Sequence, residues 1–273
     1  MAIIAMTQHI GTRAFELGRL TAEGLGYRFL SADEIIGEAA ERYHLKPAEM
    51  VIVDERRPHF WERLKTDTER VARFFRAAAL KAMAADRIVI IGRSVTHMMP
   101  DCGCGLRVRL TGPFKERVRI VGAEEGLAPA IAERRVRDYD RETRARIQTL
   151  LDVDMDDPAN FNLVLNTSTL PMETLAHTLA GLAAELDQAV GPDNWRRMHD
   201  AALAAEVHAA LMLHPKIGHA PFDVQCAGGV IQVTGPGLVP PWDGLVNEIV
   251  QQIAGVRGVE VNADEQPIPM QPN

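Results

Sequence analysis

Short apolar runs separated by long amphipathic stretches recur through residue 190 of this chain, and that alternation constrains the fold more than any single motif. Ala2–Thr7, Tyr27–Leu30, Arg87–Gly92, Leu106–Thr111 and Phe161–Asn166 each read as a strand. Glu62–Ala84, Leu127–Leu151 and Met172–Val190 carry helical periodicity between them. Strands alternating with helices predict an α/β fold, with a parallel sheet flanked by helices on both faces. In such sheets ligands sit outside the C-terminal ends of the strands. The turn after the first strand is therefore the first place to look for a site.

That turn, Gln8–Ala14, leads into a helix over Phe15–Glu23 with Leu17 and Leu20 on one face. A phosphate loop uses glycine so that backbone N–H groups can approach the anion, a lysine for the outer phosphates and a hydroxyl for magnesium. Gly11 and Thr12 supply the glycine and the hydroxyl, but Arg13, Ala14, Phe15 and Glu16 follow where a lysine is usual. These six residues are the expected phosphate site. A glycine that merely ends a strand is the alternative reading.

Composition narrows the partners. A net charge of −7 argues against a broad nucleic-acid footprint, which needs a strongly basic face. No apolar run approaches the ~18 residues of a membrane-spanning helix, and no charged leader precedes the first strand, so a cytoplasmic protein is expected. Three cysteines, Cys102, Cys104 and Cys226, fit a reducing compartment. Cys102-Gly103-Cys104 has the form of half a metal or redox site. Without a second Cys/His pair it reads as a turn before the strand at Leu106, and no protein-bound metal is expected.

The pattern changes at Gly191-Pro192-Asp193-Asn194. A helix to about Leu213, strands Phe222–Cys226 and Val230–Thr234 joined by Gly228-Gly229, a helix Trp242–Ala254 and a strand Val259–Val261 form a small α+β unit of order α-β-β-α-β. The expected organisation is a nucleotide-binding domain over 1–190, this unit over 191–264, and a frayed tail over 265–273.

Two further sets of residues could hold an anion. Arg93 follows a buried strand at the same sheet edge as the turn. Arg134, Arg135, Arg137, Arg141, Arg144 and Arg146 cluster among Asp138, Asp140 and Glu142, where Arg137 and Arg141 share a helix face. Such a stretch is either a solvated surface or a lid of the kind that neutralises a transferred phosphoryl group.

Several segments carry a resemblance. Ile88 through Asp101, Leu106–Leu110 and Pro113–Val118 resemble the central region of the cytidylate kinase-like family, in which a strand ends in Gly-Arg-Asp and the next leads into a Glu-Arg helix. Asp156-Asp157-Pro158 and Phe161–Ser168 resemble its last strand and the approach to it, and Asp140–Arg146 resembles its arginine lid. The resemblance spans about residues 1–188 and implies a P-loop kinase-like fold that uses ATP and magnesium, with CMP or a related monophosphate as acceptor. It implies Gly11–Glu16 on the donor phosphates, Asp33, Arg93 and Ser94 on the acceptor, and Arg137, Arg141 and Arg144 as catalytic lid residues. Departures stand beside it: Arg13-Ala14-Phe15 replaces Gly-Gly-Arg, Ser94 replaces an aspartate, and Gly37 stands where an arginine is usual. Two functions follow as alternatives, a weak or altered kinase and a degenerate sensor of a nucleotide or small anion. The C-terminal unit resembles a BON domain through Gly228–Gly235 and Ile253–Val259, which implies contact with a protein partner.

Overall fold

The computed structural model describes residues 2–45, 65–85, 87–236 and 238–263, apart from the side chains of 65–69 and 150. The start expected for the second helix at Glu62 and the tail expected over 265–273 lie outside the described residues. The chain divides into two compact units, Met1–Trp195 and Arg196–Asn273.

In the first unit, strands β1 (Ile3–Gln8), β2 (Arg28–Ser31), β3 (Ile88–Ile91), β4 (Gly105–Thr111) and β5 (Leu163–Asn166) form one sheet in the order β2-β3-β1-β4-β5. Every neighbouring pair is parallel, so each strand must be reached by a crossover. Helices α1 (Ala14–Leu25), α2 (Ala32–Arg42), α3 (Lys65–Ala84), α4 (Val95–Met98), α5 (Phe114–Glu125), α6 (Pro129–Leu151) and α7 (Met172–Ala189) serve that need among the described residues. The central strand β1 is buried from end to end, as a strand covered on both faces must be. The edge strand β5 is only half covered.

Strand alternation divides the core. Ile4, Met6, Val89, Ile91, Val108 and Leu110 pack with Ala14, Leu17 and Ala22 of α1 and with Leu175, Leu179 and Ala183 of α7. Ile3, Ala5, Ile88 and Ile90 alternate to the other face and are equally buried. On α3, Phe74, Leu80 and Met83 are fully buried, and the Phe74 ring lies 4.9 Å from that of Tyr43 at the end of α2. Each such side chain contributes about 1.5–3 kcal/mol by leaving water. A sheet covered in this way holds the C-terminal ends of β1, β3 and β4 rigidly beside one another. Thr7 adds a polar link there: its hydroxyl donates to the Gly92 carbonyl oxygen at 3.0 Å and so accepts from Thr96 at 2.7 Å.

The second unit begins within α8 (Pro192–Leu213) and continues through β6 (Asp223–Ala227), β7 (Val230–Gly235), α9 (Trp242–Gln251) and β8 (Gly258–Ala263). Its sheet has the order β6-β7-β8, antiparallel then parallel. Val207, Leu211, Ile231, Val233, Val246 and Val250 form its core. Ala227 pairs with Val230, which leaves Gly228 and Gly229 as the turn, at φ of 60° and 82°. Positive φ at both positions is what a two-residue hairpin of this hand demands, and glycine adopts it without strain.

Asp200 on α8 fastens that hairpin. Its carboxylate accepts from the N–H of Gly228 at 2.8 Å, the N–H of Gly229 at 3.0 Å and the Cys226 thiol at 3.2 Å. Burial works to raise the Asp200 pKa, but the bonds from Gly228, Cys226 and Gly229 together outweigh it and hold the carboxyl below its ordinary range. Asp200→Ala is expected to destabilise the protein by about 1–3 kcal/mol, because the turn amides lose their acceptor. Chemical denaturation followed by circular dichroism checks this; an unchanged midpoint would remove Asp200 from the account of the hairpin.

Candidate functional site

The chain leaves β1 at Gln8, turns through His9–Arg13 and enters α1 at Ala14. Two left-handed residues shape the turn, Gly11 at φ 77° and Arg13 at φ 53°. A Cβ on Gly11 would lie 2.6 Å from the Arg117 carbonyl oxygen, so this glycine is required by the close packing of the turn on α5. Arg13 occupies the N-cap position of α1 but makes no side-chain cap. The first N–H groups of α1 have no partner within the helix, and they open at the turn.

A cavity of about 610 Å³ lies over this turn. It is lined by residues Gln8 through Glu16 and, among others, by Asp33, Glu124, Arg135 and Tyr139. All six residues expected at the phosphate loop, and Asp33 from the expected acceptor side, therefore face one space. Gln8 is 6% exposed and its Oε1 has no hydrogen-bond partner, so the wall carries a buried acceptor beside the turn.

The charges of the turn are already engaged. Arg13 holds Glu16 through two hydrogen bonds of 2.7 and 2.5 Å, and Arg135 contacts Glu125 at 3.4 Å. Burial raises the pKa of Glu124, which the neighbouring Glu125 and Glu16 reinforce against Arg13. The Arg13–Glu16 pair is solvent-exposed, and exposed pairs hold with only ~0–1 kcal/mol. An incoming phosphate could therefore draw Arg13 away from Glu16. For magnesium, Thr12 is the loop hydroxyl. It donates to the His9 carbonyl oxygen at 2.8 Å, which leaves its lone pairs as what it could offer the ion. Among the described residues no group of three or more His, Cys, Asp or Glu could hold a metal ion. The turn thus offers the first N–H groups of α1 to an anion and one hydroxyl, that of Thr12, to magnesium.

Arg137, Arg141 and Arg144 are not brought to the cavity. α6 is one continuous helix, and on it Arg137 bonds Glu133 at 2.7 Å, Arg141 bonds Asp138 at 2.8 Å and Arg144 bonds Asp156 at 2.7 Å. Arg137 also lies over the Phe114 ring, 4.5 Å from its centre. The residues of α6 that do reach the cavity are Arg135 and Tyr139. Arg93, 5% exposed, lays its guanidinium over the Tyr139 ring at 4.5 Å, beside the cavity wall. Ser94 occupies the N-cap position of α4 without a side-chain cap, its hydroxyl 4.0 Å from the Met98 sulfur.

Sequence reasoning passed over a buried polar network behind the turn. Arg109 of β4, 4% exposed, donates from Nη2 to His9 Nε2 at 2.9 Å and approaches Asp156 at 3.7 Å. Because arginine only donates, His9 carries its proton on Nδ1 and gives it to Thr111 Oγ1 at 3.2 Å. Burial, and after it the charge of Arg109, lowers the His9 pKa to about 4. Burial likewise lowers His97 to about 4, with Arg109 and Arg107 adding to the effect. Strand alternation was the available signal: Arg109 sits between Val108 and Leu110 and must face the opposite side of a buried strand.

Residues 3–169 match the family described as the cytidylate kinase-like family. The chain belongs to that family. The matched segment is more than half of its length and carries the turn, the cavity and the buried network. Among curated proteins no sequence matches the chain. Among solved structures, an uncharacterized protein from Eubacterium ventriosum ATCC 27560 is similar with a TM-score of 0.52 at 14% identity, over 67% of this chain and 99% of that one. That likeness shows the shared fold. A shikimate kinase from Acinetobacter baumannii in complex with shikimate is similar with a TM-score of 0.41 at 15% identity, over 70% of this chain and 96% of that one. A gluconokinase from Sinorhizobium meliloti 1021 gives 0.43 at 19%, over 69% and 95%. This member of the cytidylate kinase-like family thus has a kinase-like fold, a parallel sheet with flanking helices, and among the described residues no helix long and apolar enough to cross a membrane.

Proposed function

We propose that the first unit binds a nucleoside phosphate or similar anion at Gly11–Glu16 and works as a sensor, with phosphoryl transfer weak or absent. The observation that carries this reading is the placement of the three arginines that the resemblance implies as a lid, none of which lines the cavity. Arg137, Arg141 and Arg144 each face a carboxylate that also stands outside the lining, Glu133, Asp138 and Asp156. Each missing transition-state donor costs about 2.7–4 kcal/mol of barrier, whereas ground-state binding needs only the turn, its amides and the space above it. In this reading the protein is cytoplasmic, and the small C-terminal unit, with its α-β-β-α-β order, is BON-like and relays occupancy to a protein partner.

The second reading, transfer of phosphate from ATP to CMP or a related monophosphate with magnesium, is favoured by one feature. Asp33 on the acceptor side shares the cavity with the turn, and Arg93 stands behind Tyr139 at its wall. Melting the protein with ATP, CMP or both, and measuring ADP release in the same samples, separates the two. The sensor reading expects ATP to raise the melting temperature, by about 2.7 kcal/mol of stabilisation at a hundredfold excess over Kd, with ADP release at background. CMP-dependent ADP release would replace it with the kinase reading. No shift with any nucleotide at millimolar concentration would remove both.

A further inference from the structure

Cys102 and Cys104 sit at the opposite end of the sheet from the nucleotide cavity, in the turn that leads into β4. Their sulfurs are 2.8 Å apart and both residues are fully buried. That separation lies between a disulfide bond, about 2.03–2.05 Å, and the van der Waals contact of two sulfur atoms. The turn itself makes the approach. Gly103 takes φ of 71°, and the Cys102 N–H donates to the Pro100 carbonyl oxygen at 2.9 Å, which curls the chain so that the two side chains meet.

We infer that Cys102-Gly103-Cys104 is a redox-active dithiol that closes to a reversible disulfide. The two thiols lie within hydrogen-bond distance, and either can donate to the other. A thiolate formed on one sulfur is therefore held by the proton of its neighbour, against the effect of burial on both. One sulfur can attack while the other stands in place to resolve.

The oxidant is a small peroxide, since both sulfurs are shielded from larger reagents. One thiolate attacks a peroxide oxygen, the O–O bond breaks, and hydroxide leaves to be protonated to water, giving a sulfenic acid. The second sulfur gives up its proton and attacks the first; the S–O bond breaks and a second water leaves. Two thiol sulfurs are oxidised and one peroxide is reduced to two waters. The change reaches beyond the turn. The Cys102 carbonyl oxygen accepts from Asn194 Nδ2 at 2.7 Å, and a side chain at Gly103 would press on that same nitrogen at 2.9 Å. Asn194 lies in the first turn of α8, so closing the ring alters the anchor of that helix within the first unit.

Treating the full chain with hydrogen peroxide, alkylating under denaturing conditions and mapping the peptides tests this. The peptide carrying both cysteines is expected to lose both alkyl groups, to weigh two hydrogens less, and to regain both sites after dithiothreitol, while Cys226 remains alkylated. Retention of both alkyl groups, sulfinic acid at Cys102, or a link between chains would overturn the inference. Cys104→Ser and Cys102→Ser are each expected to stop at a sulfenic acid on the remaining cysteine, trapped by dimedone added together with the denaturant, and no adduct in either folded variant would overturn the inference. The wild-type mass shift stands alone if either variant fails to fold.

Discussion

Arg117→Ala is expected to destabilise the protein by about 3–5 kcal/mol, the typical effect of removing one partner of a buried ion pair. Arg117 donates to both Asp140 oxygens, at 3.0 and 2.8 Å, to the Gly112 carbonyl oxygen at 3.1 Å and to the Ile10 carbonyl oxygen at 3.4 Å. Its side chain is 7% exposed and that of Asp140 16%, so the carboxylate left behind would have little water to turn to. The residue also ties three elements together: it stands on α5, reaches α6 through Asp140, and closes on the turn after β1 through Ile10. The turn is held twice, since Gly11 packs on the Arg117 carbonyl oxygen. Loss of the guanidinium should therefore weaken nucleotide binding along with stability. Arg117→Lys should recover only part of either, because an ammonium cannot make the two parallel bonds to Asp140. Urea unfolding of Arg117→Ala, Asp140→Asn and the double variant measures the effect. The double variant should lose clearly less than the two single losses added together. Additive losses, or a single loss under about 1 kcal/mol, would show that the pair does not hold the turn.

Much of this fold was legible in the chain. The five strands of the large sheet fall where apolar runs lie between turn residues, shifted by a residue or two at their ends. β1 was the easiest, because a strand buried on both faces needs an unbroken apolar run. The hairpin at Gly228-Gly229 was equally plain, since only glycine meets positive φ twice without strain. The site was read less fully. Spacing put Arg137 and Arg141 on one helix face and the resemblance added Arg144, but neither distinguishes the cavity-facing side of α6 from its buried stripe. That stripe, Ala132, Val136, Tyr139, Thr143 and Ile147, follows helical spacing and could have directed attention to Arg135 and Tyr139. Carboxylates close in sequence, Glu133 and Asp138, are visible partners for Arg137 and Arg141. The partner of Arg144, Asp156, comes through the loop beyond the helix and is set by tertiary structure alone. The same holds for Gly11: its presence suggested a phosphate, while its immediate physical cause is the carbonyl of Arg117.

Acidification is expected to weaken the fold well above the range in which most carboxylates titrate. His9 is held at a pKa of about 4, against 6.5 for an ordinary histidine, by burial and by the charge of Arg109, with Arg117 adding and Asp140 and Asp156 opposing. A depressed histidine pKa means that the unfolded chain takes up the proton first. Stability contributed by neutral His9 is therefore fully present above about pH 6.5 and declines as the pH falls toward 4, by up to about 3 kcal/mol in all. His97, lowered to about 4 in the same direction, adds a smaller share because more of it meets water. His9→Gln isolates the effect, since an amide can still accept from Arg109 and donate to Thr111 but does not titrate. The gap in unfolding free energy between the wild type and this variant, measured by urea at about pH 7 and about pH 4.5, should shift in favour of the variant as the pH falls. If the gap is the same at both values, His9 is not the group that senses the acid. If it closes, the proton enters at the first residue of the turn after β1, beside Arg109. Nucleotide affinity should then change across the same interval, because a charged His9 can no longer accept from Arg109 and the pair must separate.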